Sequence, residues 1–320
     1  MSLRIGILGA SRIAESAIVA PARELGHRLV VVAARDPLRA QAFADTYGVE
    51  RVAPSYHDVV TDPEVDVIYN PLANALHAPW NLAAVAAGKP VLTEKPFARD
   101  HSEAARVAAA ADAAGVTVME GFHYLFHPVT QRALALAADG TLGELTRIEA
   151  RMGMPEPQAT DPRWSLDLAG GALMDLGCYG LHIMRRFGTP SVASATAVQR
   201  TPGIDESCDV ELVFPSGLTG LSTNTMVGDR FSFTLRIAGT RGEAFVHNFI
   251  KPQDDDRLTL TTDSGTTVEH HGTRATYTYQ LEAFADHVLH GNSVPLDTAD
   301  AVANMSLIDD AYRAAGMAPR

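Results

Sequence analysis

The sequence has little of several features that mark large protein classes. Only two cysteines, Cys178 and Cys208, occur among 320 residues, too few for a disulfide framework. Lys and Arg number 26 against 38 Asp and Glu, and the net charge of −12 argues against nucleic acid or an anionic membrane as partner. Apolar runs are far shorter than the roughly 20 residues that span a bilayer, and no signal-peptide pattern opens the chain. We therefore expect a reduced, globular, cytoplasmic protein.

The length predicts two domains, at roughly 100–200 residues per domain. Up to residue 120, short apolar strands at 3–8, 28–34, 65–69, 91–93 and 116–119 alternate with helical patterns at 12–25, 36–47, 77–87 and 102–114. Such alternation, with nearly continuous apolar strands, is typical of a parallel sheet covered on both faces. We predict an α/β, doubly wound Rossmann domain over residues 1–121.

The pattern changes after residue 128. A helix at 129–138, a strand at 144–154, a polar loop at 155–164 and a helix at 171–187 precede six strand-like segments, at 192–200, 209–214, 218–226, 232–238, 242–247 and 258–262. Turn residues between these segments indicate a meander. Two helices, 277–290 and 298–315, close the chain. We predict an α+β domain over residues 122–320 with an open, mostly antiparallel sheet, whose final helix can pack back on the first domain.

The turn after the first predicted strand indicates a nucleotide site. Aligned with the pattern GxGxxG/A, it places Gly9, Ser11 and Ala14 at the three key positions, with serine in place of the middle glycine. Such a turn lets a pyrophosphate approach the backbone at a helix N-terminus. A plain strand–turn–helix is the alternative. The predicted cofactor-binding residues of this turn are Gly9, Ala10, Ser11, Arg12 and Ile13.

The end of the second strand favours NADP over NAD. An NAD site places a carboxylate there for the ribose 2′-hydroxyl, but the sequence has Ala34 followed by Arg35. Arginine suits a 2′-phosphate because its planar guanidinium forms charge-assisted hydrogen bonds. The alternative is a solvated surface arginine, with Asp36 capping the next helix.

The tripeptide Glu94-Lys95-Pro96 closes another predicted strand of the parallel sheet. Ligands of open α/β sheets bind beyond the carboxyl ends of the strands, so this charged pair would face the site. Lys95 could reach a substrate hydroxyl, and Glu94 could orient the lysine. On the tripeptide alone, an ordinary surface Glu–Lys pair is the favoured interpretation.

A second candidate group follows the paired glycines at 170–171. Asp175, Tyr179 and His182 stand at i, i+4 and i+7 of a predicted helix, so they share one face. A carboxylate, a phenol and an imidazole on one face are suited to proton transfer. The alternative is that Tyr179 and His182 are half-buried at a domain interface.

Three histidines raise the question of a metal. His123, His127 and His182 lie on different predicted elements and lack a short two-ligand spacing. We predict core or cleft histidines and no metal site.

Together these motifs resemble the glucose–fructose oxidoreductase/inositol dehydrogenase (Gfo/Idh/MocA) family over essentially the whole chain. Tyr179 stands where inositol dehydrogenases carry histidine, which makes the chain most similar to the NADP-dependent xylose dehydrogenase and dihydrodiol dehydrogenase branch. Ser11 and Leu125 depart from the usual glycine and arginine. The motifs that carry the resemblance are Gly6-x-x-Gly9, residues 70–77 (NPLANALH), Ala87-Gly88-Lys89, Glu94-Lys95-Pro96, residues 120–128 (EGFHYLFHP), residues 170–179 (GGALMDLGCY) and residues 279–284 (YQLEAF).

The resemblance implies an NAD(P)-dependent oxidoreductase that acts on a sugar, cyclitol or related diol, with NADP favoured and NAD possible. Lys95 would contact the reacting oxygen and share its proton with Tyr179, and Asp175 would orient the hydroxyl or the lysine. Leu72, Asn74 and His77 would lie along the cofactor. The resemblance also implies a homodimer or homotetramer, joined through the sheet of the second domain.

Two other functions remain open. One is a dinucleotide-binding regulator of the same fold without turnover, although Lys95, Asp175 and Tyr179 argue against it. The other is a sugar-phosphate enzyme, which would need basic residues to converge in the second domain. Its candidates are Arg147, Arg151 and Arg163.

Overall fold

A computed structural model describes residues 2–320, and the chain divides into two compact units. The first contains the chain up to Phe122 together with Tyr277–Ala303, and the second contains His123–Thr276 and Asn304–Arg320. The division after residue 122 is one residue from the predicted boundary. The closing segment differs, because residues 277–303 fall in the first unit rather than in the predicted 122–320 domain.

The first unit is built on a parallel sheet, as predicted, but the sheet has six strands because β3 was not among the five expected. Its strand order is β3-β2-β1-β4-β5-β6, which is the doubly wound order. In such sheets ligands bind at the carboxyl ends of the strands, at the switch point between β1 and β4, from which the chain runs outwards in opposite directions. From β4 to β6 every strand residue is buried, so both faces of this part of the sheet are covered. The strands are β1 (Arg4–Leu8), β2 (Arg28–Ala33), β3 (Arg51–Val52), β4 (Val67–Asn70), β5 (Val91–Thr93) and β6 (Val118–Glu120).

The helices between these strands begin and end at local signals. Asp36 accepts a hydrogen bond from Leu38 N at 2.9 Å, and Pro37 occupies the first turn of α2. Asp100 caps α5 in the same way, and Gly115 ends it in the left-handed conformation. These two helices lie where helices were predicted, at 36–47 and 102–114. The helices are α1 (Ala20–Leu25), α2 (Pro37–Tyr47), α3 (Tyr56–Val60), α4 (His77–Ala86) and α5 (His101–Ala114).

The two closing helices are α8 (Thr276–His290) and α9 (Thr298–Ala314). Within the first unit, Thr278 Oγ1 donates to Glu24 at 3.1 Å, and Thr117 Oγ1 lies 2.7 Å from His287 Nε2. These contacts tie α8 to the Rossmann sheet and its first helix. They explain why this segment groups with the first unit. Helix α9 continues into the second unit.

The second unit is an α+β domain with an eight-stranded, mostly antiparallel sheet in the order β14-β13-β12-β11-β7-β10-β9-β8. The predicted meander is wrong at one place, because β7 inserts between β11 and β10 and pairs parallel with β10. The seventh strand of the series, β14, was not predicted. The strands are β7 (Leu145–Gly153), β8 (Ser191–Thr201), β9 (Ile204–Val213), β10 (Thr219–Thr225), β11 (Ser232–Gly239), β12 (Gly242–Val246), β13 (Arg257–Thr262) and β14 (Gly265–His270).

Side chains alternate along the inner strands of this sheet. On β10, for example, every second residue is buried, which leaves one face for a core and one face open. Helix α6 (Pro128–Ala138) packs against β12 and β13, and α7 (Cys178–Met184) packs against β7 and β10. Every residue of α7 is buried, so the side chains of this helix are held in fixed positions.

No helix within residues 2–320 is both long enough and apolar enough to cross a membrane.

Candidate functional site

The turn after β1 has the backbone of a nucleotide-binding loop. Gly9 has φ +90°, and its N–H donates to Ala33 O at 2.7 Å. A Cβ at this position would lie 2.9 Å from Leu72 Cδ2, so only glycine fits without displacement. Ser11 Oγ is buried and has no hydrogen-bond partner among the described residues. A buried hydroxyl without a partner is costly, and a phosphate oxygen would satisfy it. This loop therefore fits the phosphates of a dinucleotide.

The helix after this turn differs slightly from the prediction of 12–25. It opens with a π-helical turn, Glu15–Val19, before α1. Arg12 and Ile13 therefore precede the regular helix and are exposed, within the turn that the phosphates would approach.

Two arginines rather than one follow β2, Arg35 in the loop and Arg39 in α2. Arg35 is exposed, two residues after Ala33, which pairs with Leu8 of β1. Arg39 lies one turn into α2, and its guanidinium donates to Ala10 O at 3.0 Å. Sequence analysis missed Arg39, although its spacing of four residues from Arg35 was a usable signal.

His77 connects two loops at the carboxyl edge of the sheet. It is 1% exposed, with Nδ1 2.6 Å from Pro96 O and Nε2 2.8 Å from Leu72 O. Burial lowers the pKa of His77 to about 4, and the charge of Lys95 contributes. At neutral pH the ring is therefore uncharged and can donate to only one of the two carbonyls. Asn74 lies between Leu72 and His77 in the sequence. It is half-buried and starts a 3-10 turn, Asn74–Leu76.

Because both nitrogens of His77 face backbone carbonyls, we expect His77→Ala to affect the Lys95 turn more than cofactor affinity. In this variant kcat should fall about tenfold, while the NADPH Kd stays within about threefold of wild type. His77→Asn keeps an N–H donor and should retain most of the activity. Steady-state kinetics and fluorescence titration test this. A rise in Kd that matched the loss in kcat would instead make His77 a cofactor contact.

The Glu94-Lys95-Pro96 turn is held by hydrogen bonds to residues of the neighbouring strand β4. Tyr69 on β4 donates its hydroxyl to Glu94 Oε1 at 2.9 Å, and Glu94 N donates to Asn70 O at 2.9 Å. Burial, and then the charge of Glu94, raise the pKa of Tyr69 well above 10, so the phenol remains a donor. The Lys95–Pro96 peptide is cis, and Lys95 is half-buried. Glu94 is therefore a buried, hydrogen-bonded carboxylate rather than half of a surface pair.

In the second unit, a buried ion pair supports the helix that carries Asp175 and Tyr179. Gly171 has φ +122°, and a Cβ there would collide with the Asp205 carboxylate. Asp205 accepts from Leu173 N at 2.7 Å and pairs with Arg320, with side chains 0% and 1% exposed. Burial raises the pKa of Asp205, and Arg320 opposes the rise. Gly171 thus accommodates the chain's own carboxylate, and Gly170 accommodates the backbone carbonyl of Arg163.

Asp175 lies in a π-helical turn, Leu173–Gly177, that precedes α7. Arg163 Nε donates to Asp175 Oδ2 at 2.7 Å, and the charge of Asp175 raises the pKa of Arg163. The π-helical turn breaks the regular helix on which the shared face of Asp175, Tyr179 and His182 was predicted. Of the three arginines considered for a sugar-phosphate site, Arg163 is bonded to Asp175, and Arg147 Nε donates to Glu149 Oε1 at 2.7 Å. These two therefore do not converge on a phosphate.

Tyr179 is 5% exposed and belongs to a buried aromatic group. His123 Nε2 lies 3.1 Å from the Tyr179 hydroxyl, and the Tyr124 ring packs edge-on at 5.8 Å. His182 is fully buried, with Nδ1 2.6 Å from the Tyr124 hydroxyl and Nε2 3.2 Å from Arg186. Tyr179 and His182 are thus linked through Tyr124.

Sequence analysis predicted His123 to be a core or cleft histidine but missed it as a neighbour of Tyr179. No local signal joins the two, because they are 56 residues apart. Leu125, the departure from the usual arginine, is 3% exposed and packs as a core residue. Among residues 2–320 no group of three or more His, Cys, Asp or Glu is arranged to hold a metal ion.

The chain belongs to the Gfo/Idh/MocA family of oxidoreductases, as the motifs predicted. Residues 3–122 match the family's oxidoreductase domain with its NAD-binding Rossmann fold, and residues 130–245 match its C-terminal domain. The protein is therefore a nicotinamide-dependent oxidoreductase in fold and class.

Two relatives and one solved structure illustrate the similarity. The chain is 34% identical over 317 residues to D-xylose 1-dehydrogenase (NADP(+)) 2 of Haloferax volcanii, covering 98% of this chain and 97% of the relative. It is 32% identical over 262 residues to trans-1,2-dihydrobenzene-1,2-diol dehydrogenase of Mus musculus, covering 79% and 77%. The crystal structure of KijD10, a 3-ketoreductase from Actinomadura kijaniata in complex with NADP and TDP-benzene, superposes with a TM-score of 0.88 at 25% identity, covering 97% and 96%.

Proposed function

We propose that the protein transfers a hydride between NADP and the hydroxyl-bearing carbon of a sugar, cyclitol or dihydrodiol. The observation that carries this proposal is the buried group around Tyr179, whose phenol lies 3.1 Å from His123 Nε2. A phenol in hydrogen-bond contact with an imidazole is suited to general acid–base catalysis. A regulator without turnover has no need of such a group.

A bound NADP would supply the hydride acceptor for an alcohol or, in its reduced form, the hydride donor for a carbonyl. The attached hydroxyl must lose its proton as the C–H bond breaks, because otherwise positive charge develops on carbon. We assign this proton transfer to Tyr179 and Lys95. Asp175, held by Arg163, orients the reacting hydroxyl. His182 does not touch the substrate in this scheme. It holds Tyr124 by a hydrogen bond, and the Tyr124 ring packs against Tyr179.

Turnover assays with NADP⁺ and NAD⁺ against a panel of aldoses, cyclitols and dihydrodiols test this function. Appearance of reduced cofactor with at least one substrate supports it. Tight NADPH binding without turnover of any panel member would favour the regulator. Failure to bind either cofactor would overturn both functions.

We propose NADP as the preferred cofactor because two arginines flank the place of the 2′-phosphate. Ala34 stands where an NAD site has a carboxylate and is followed by Arg35, and the Arg39 guanidinium donates to Ala10 O in the nucleotide-binding turn. Ser11 Oγ offers a further phosphate contact. The remaining cofactor contacts predicted from the sequence are Gly9, Ala10, Arg12, Ile13, Leu72, Asn74, Glu94 and Lys95. His77 was predicted with them, but we propose that it acts through the Lys95 turn, because both of its ring nitrogens face backbone carbonyls.

Arg35→Ala and Arg39→Ala should each raise the NADPH Kd by about tenfold, since each removes one charge-assisted hydrogen bond. The NADH Kd should change less than about twofold, because NADH lacks the 2′-phosphate. Nicotinamide fluorescence titration measures both constants. Arg106→Ala, an exposed arginine on α5 of the same unit, is the matched control. Equal losses for NADPH and NADH would place these arginines elsewhere on the cofactor.

We also propose a cytoplasmic homodimer or homotetramer, joined through the open face of the second sheet. Apolar side chains at strand positions support this, since Val198 on β8 is 53% exposed and Val213 on β9 is 43% exposed. Light scattering of the purified protein measures the mass. A monomer at micromolar concentration would contradict it.

A further inference from the structure

The proposed function rests on the contact between Tyr179 and His123 but does not say what His123 does in the reaction. It opens a 3-10 turn, His123–Phe126, and is 1% exposed. Its Nε2 lies 3.1 Å from the Tyr179 hydroxyl, and its Nδ1 lies 2.7 Å from Thr276 Oγ1. The imidazole therefore bridges two hydroxyl groups inside the second unit.

The proposed reaction poses a problem that this bridge can solve. A phenol that still carries its proton is a poor base for an alcohol. Its oxygen can take a proton from an alcohol only if it is already ionised, or if its own proton leaves in the same step. A neutral imidazole nitrogen can receive that proton.

We propose that His123 is a positioning residue that accepts the Tyr179 proton and thereby directs the lone pair of the phenol oxygen at the substrate hydroxyl. The inference rests on the function proposed above for Tyr179. In oxidation, the substrate O–H bond breaks and an O–H bond forms on Tyr179. In the same step the original Tyr179 O–H bond breaks and an N–H bond forms on His123 Nε2. The alcohol carbon becomes a carbonyl as its hydride passes to the co-reactant NADP⁺, and the released proton stays on His123. Reduction is the reverse.

The contact between His123 Nδ1 and Thr276 Oγ1 is compatible with the tautomer that this step needs. If Nδ1–H donates to Thr276 Oγ1, the lone pair of neutral His123 is on Nε2, towards Tyr179. Two rings pack edge-on against Tyr179 and hold its plane, His123 at 5.9 Å and Tyr124 at 5.8 Å between centroids. Since Thr276 is fully buried, water does not compete for Nδ1.

The test is steady-state kinetics of the full chain with NADP⁺ and a substrate from the panel. His123→Phe removes both nitrogens but keeps a ring, and should lower kcat about tenfold to a hundredfold while KM and the NADPH Kd stay within about threefold. His123→Gln, whose amide oxygen can accept the phenol proton in a hydrogen bond, should recover part of the loss. Thr276→Val should lower kcat by a smaller factor, because the tautomer is then no longer fixed.

A double-mutant cycle separates this role from a structural one. In a Tyr179→Phe background, His123→Phe should cause no further loss of kcat, because the phenolic proton is already absent. His127→Asn is the matched control in the same segment. His127 caps α6 through Val129 N, a role that asparagine keeps, so kcat should not change.

Each outcome decides a different point. Wild-type turnover with an unchanged kcat in His123→Phe, or an equal loss in the Tyr179→Phe background, would overturn the role of His123 alone. If His123→Phe fails to fold by circular dichroism, His123→Gln and Thr276→Val decide: unchanged kcat in both would overturn it. NADPH binding without turnover of any panel member by the wild type would remove the proposed function, and the role of His123 with it.

Discussion

Replacing Lys95 by alanine should lower kcat about 10²- to 10⁴-fold, the range over which a positioned proton-transfer group contributes. The NADPH Kd should stay within about threefold, since the turn at Gly9 and Ser11 and the two arginines after β2 supply most of the cofactor contacts. Initial rates with NADP⁺ and a panel substrate measure the first effect, and fluorescence titration measures the second.

Two further variants sharpen the Lys95 experiment. Lys95→Arg keeps the positive charge but cannot give up a proton, so it should be almost as slow as the alanine variant if Lys95 transfers a proton. Recovery in Lys95→Arg would reduce the role of Lys95 to electrostatics. The chain has only three lysines, and Lys251→Ala, at an exposed position near Phe231, provides a matched control with unchanged kcat. Wild-type rates in Lys95→Ala would remove Lys95 from the mechanism.

Most of the first unit could be predicted because its signals are local. Asp36 and Pro37 begin α2, and Gly115 ends α5, each by the chemistry of neighbouring residues. The apolar strands could be identified for the same reason, since each is buried whichever strand lies beside it. The parallel order then follows from strand–helix alternation.

The second sheet was harder to predict, because strand pairing there is decided by contacts far apart in the sequence. β7 is separated from β10 by α7 and two strands, and nothing local indicates that it enters between β10 and β11. β14 is short, rich in threonine and mostly exposed, so it lacks the apolar alternation that marks a half-buried strand.

The candidate site shows the same division between local and distant information. Lys95, Asp175 and Tyr179 could be chosen from motifs, but the groups that support them could not. His123 lies 56 residues from Tyr179, and Arg320 lies 115 residues from Asp205. Such pairs leave no pattern of spacing in a single sequence.

Among the predicted variants, we expect the loss of the buried Arg320–Asp205 ion pair beside Gly171 to have the largest effect on stability. Arg320 neutralises Asp205, donates to Gly170 O at 2.8 Å and lies 4.0 Å over the Tyr312 ring, whose hydroxyl bonds Asp205 at 3.0 Å. Arg320→Ala would leave a fully buried carboxylate without its cation. The free energy of unfolding should fall by about 3–5 kcal/mol, the usual cost of breaking a buried ion pair from one side. Urea denaturation measures the change.

The dependence of this loss on pH identifies its cause. Burial already raises the pKa of Asp205, and removing Arg320 raises it further, so the folded variant binds this proton more tightly than the unfolded chain. The variant should therefore be closest to wild type near the unfolded pKa of about 4, and should lose stability as the pH rises through the folded pKa. Asp205→Asn combined with Arg320→Ala should be more stable at neutral pH than Arg320→Ala alone, because no charge is then buried. If Arg320→Ala lost the same free energy at about pH 5 and about pH 8, and the added Asp205→Asn restored none of it, the loss would come from the Tyr312 stacking and the Gly170 hydrogen bond rather than from the ion pair.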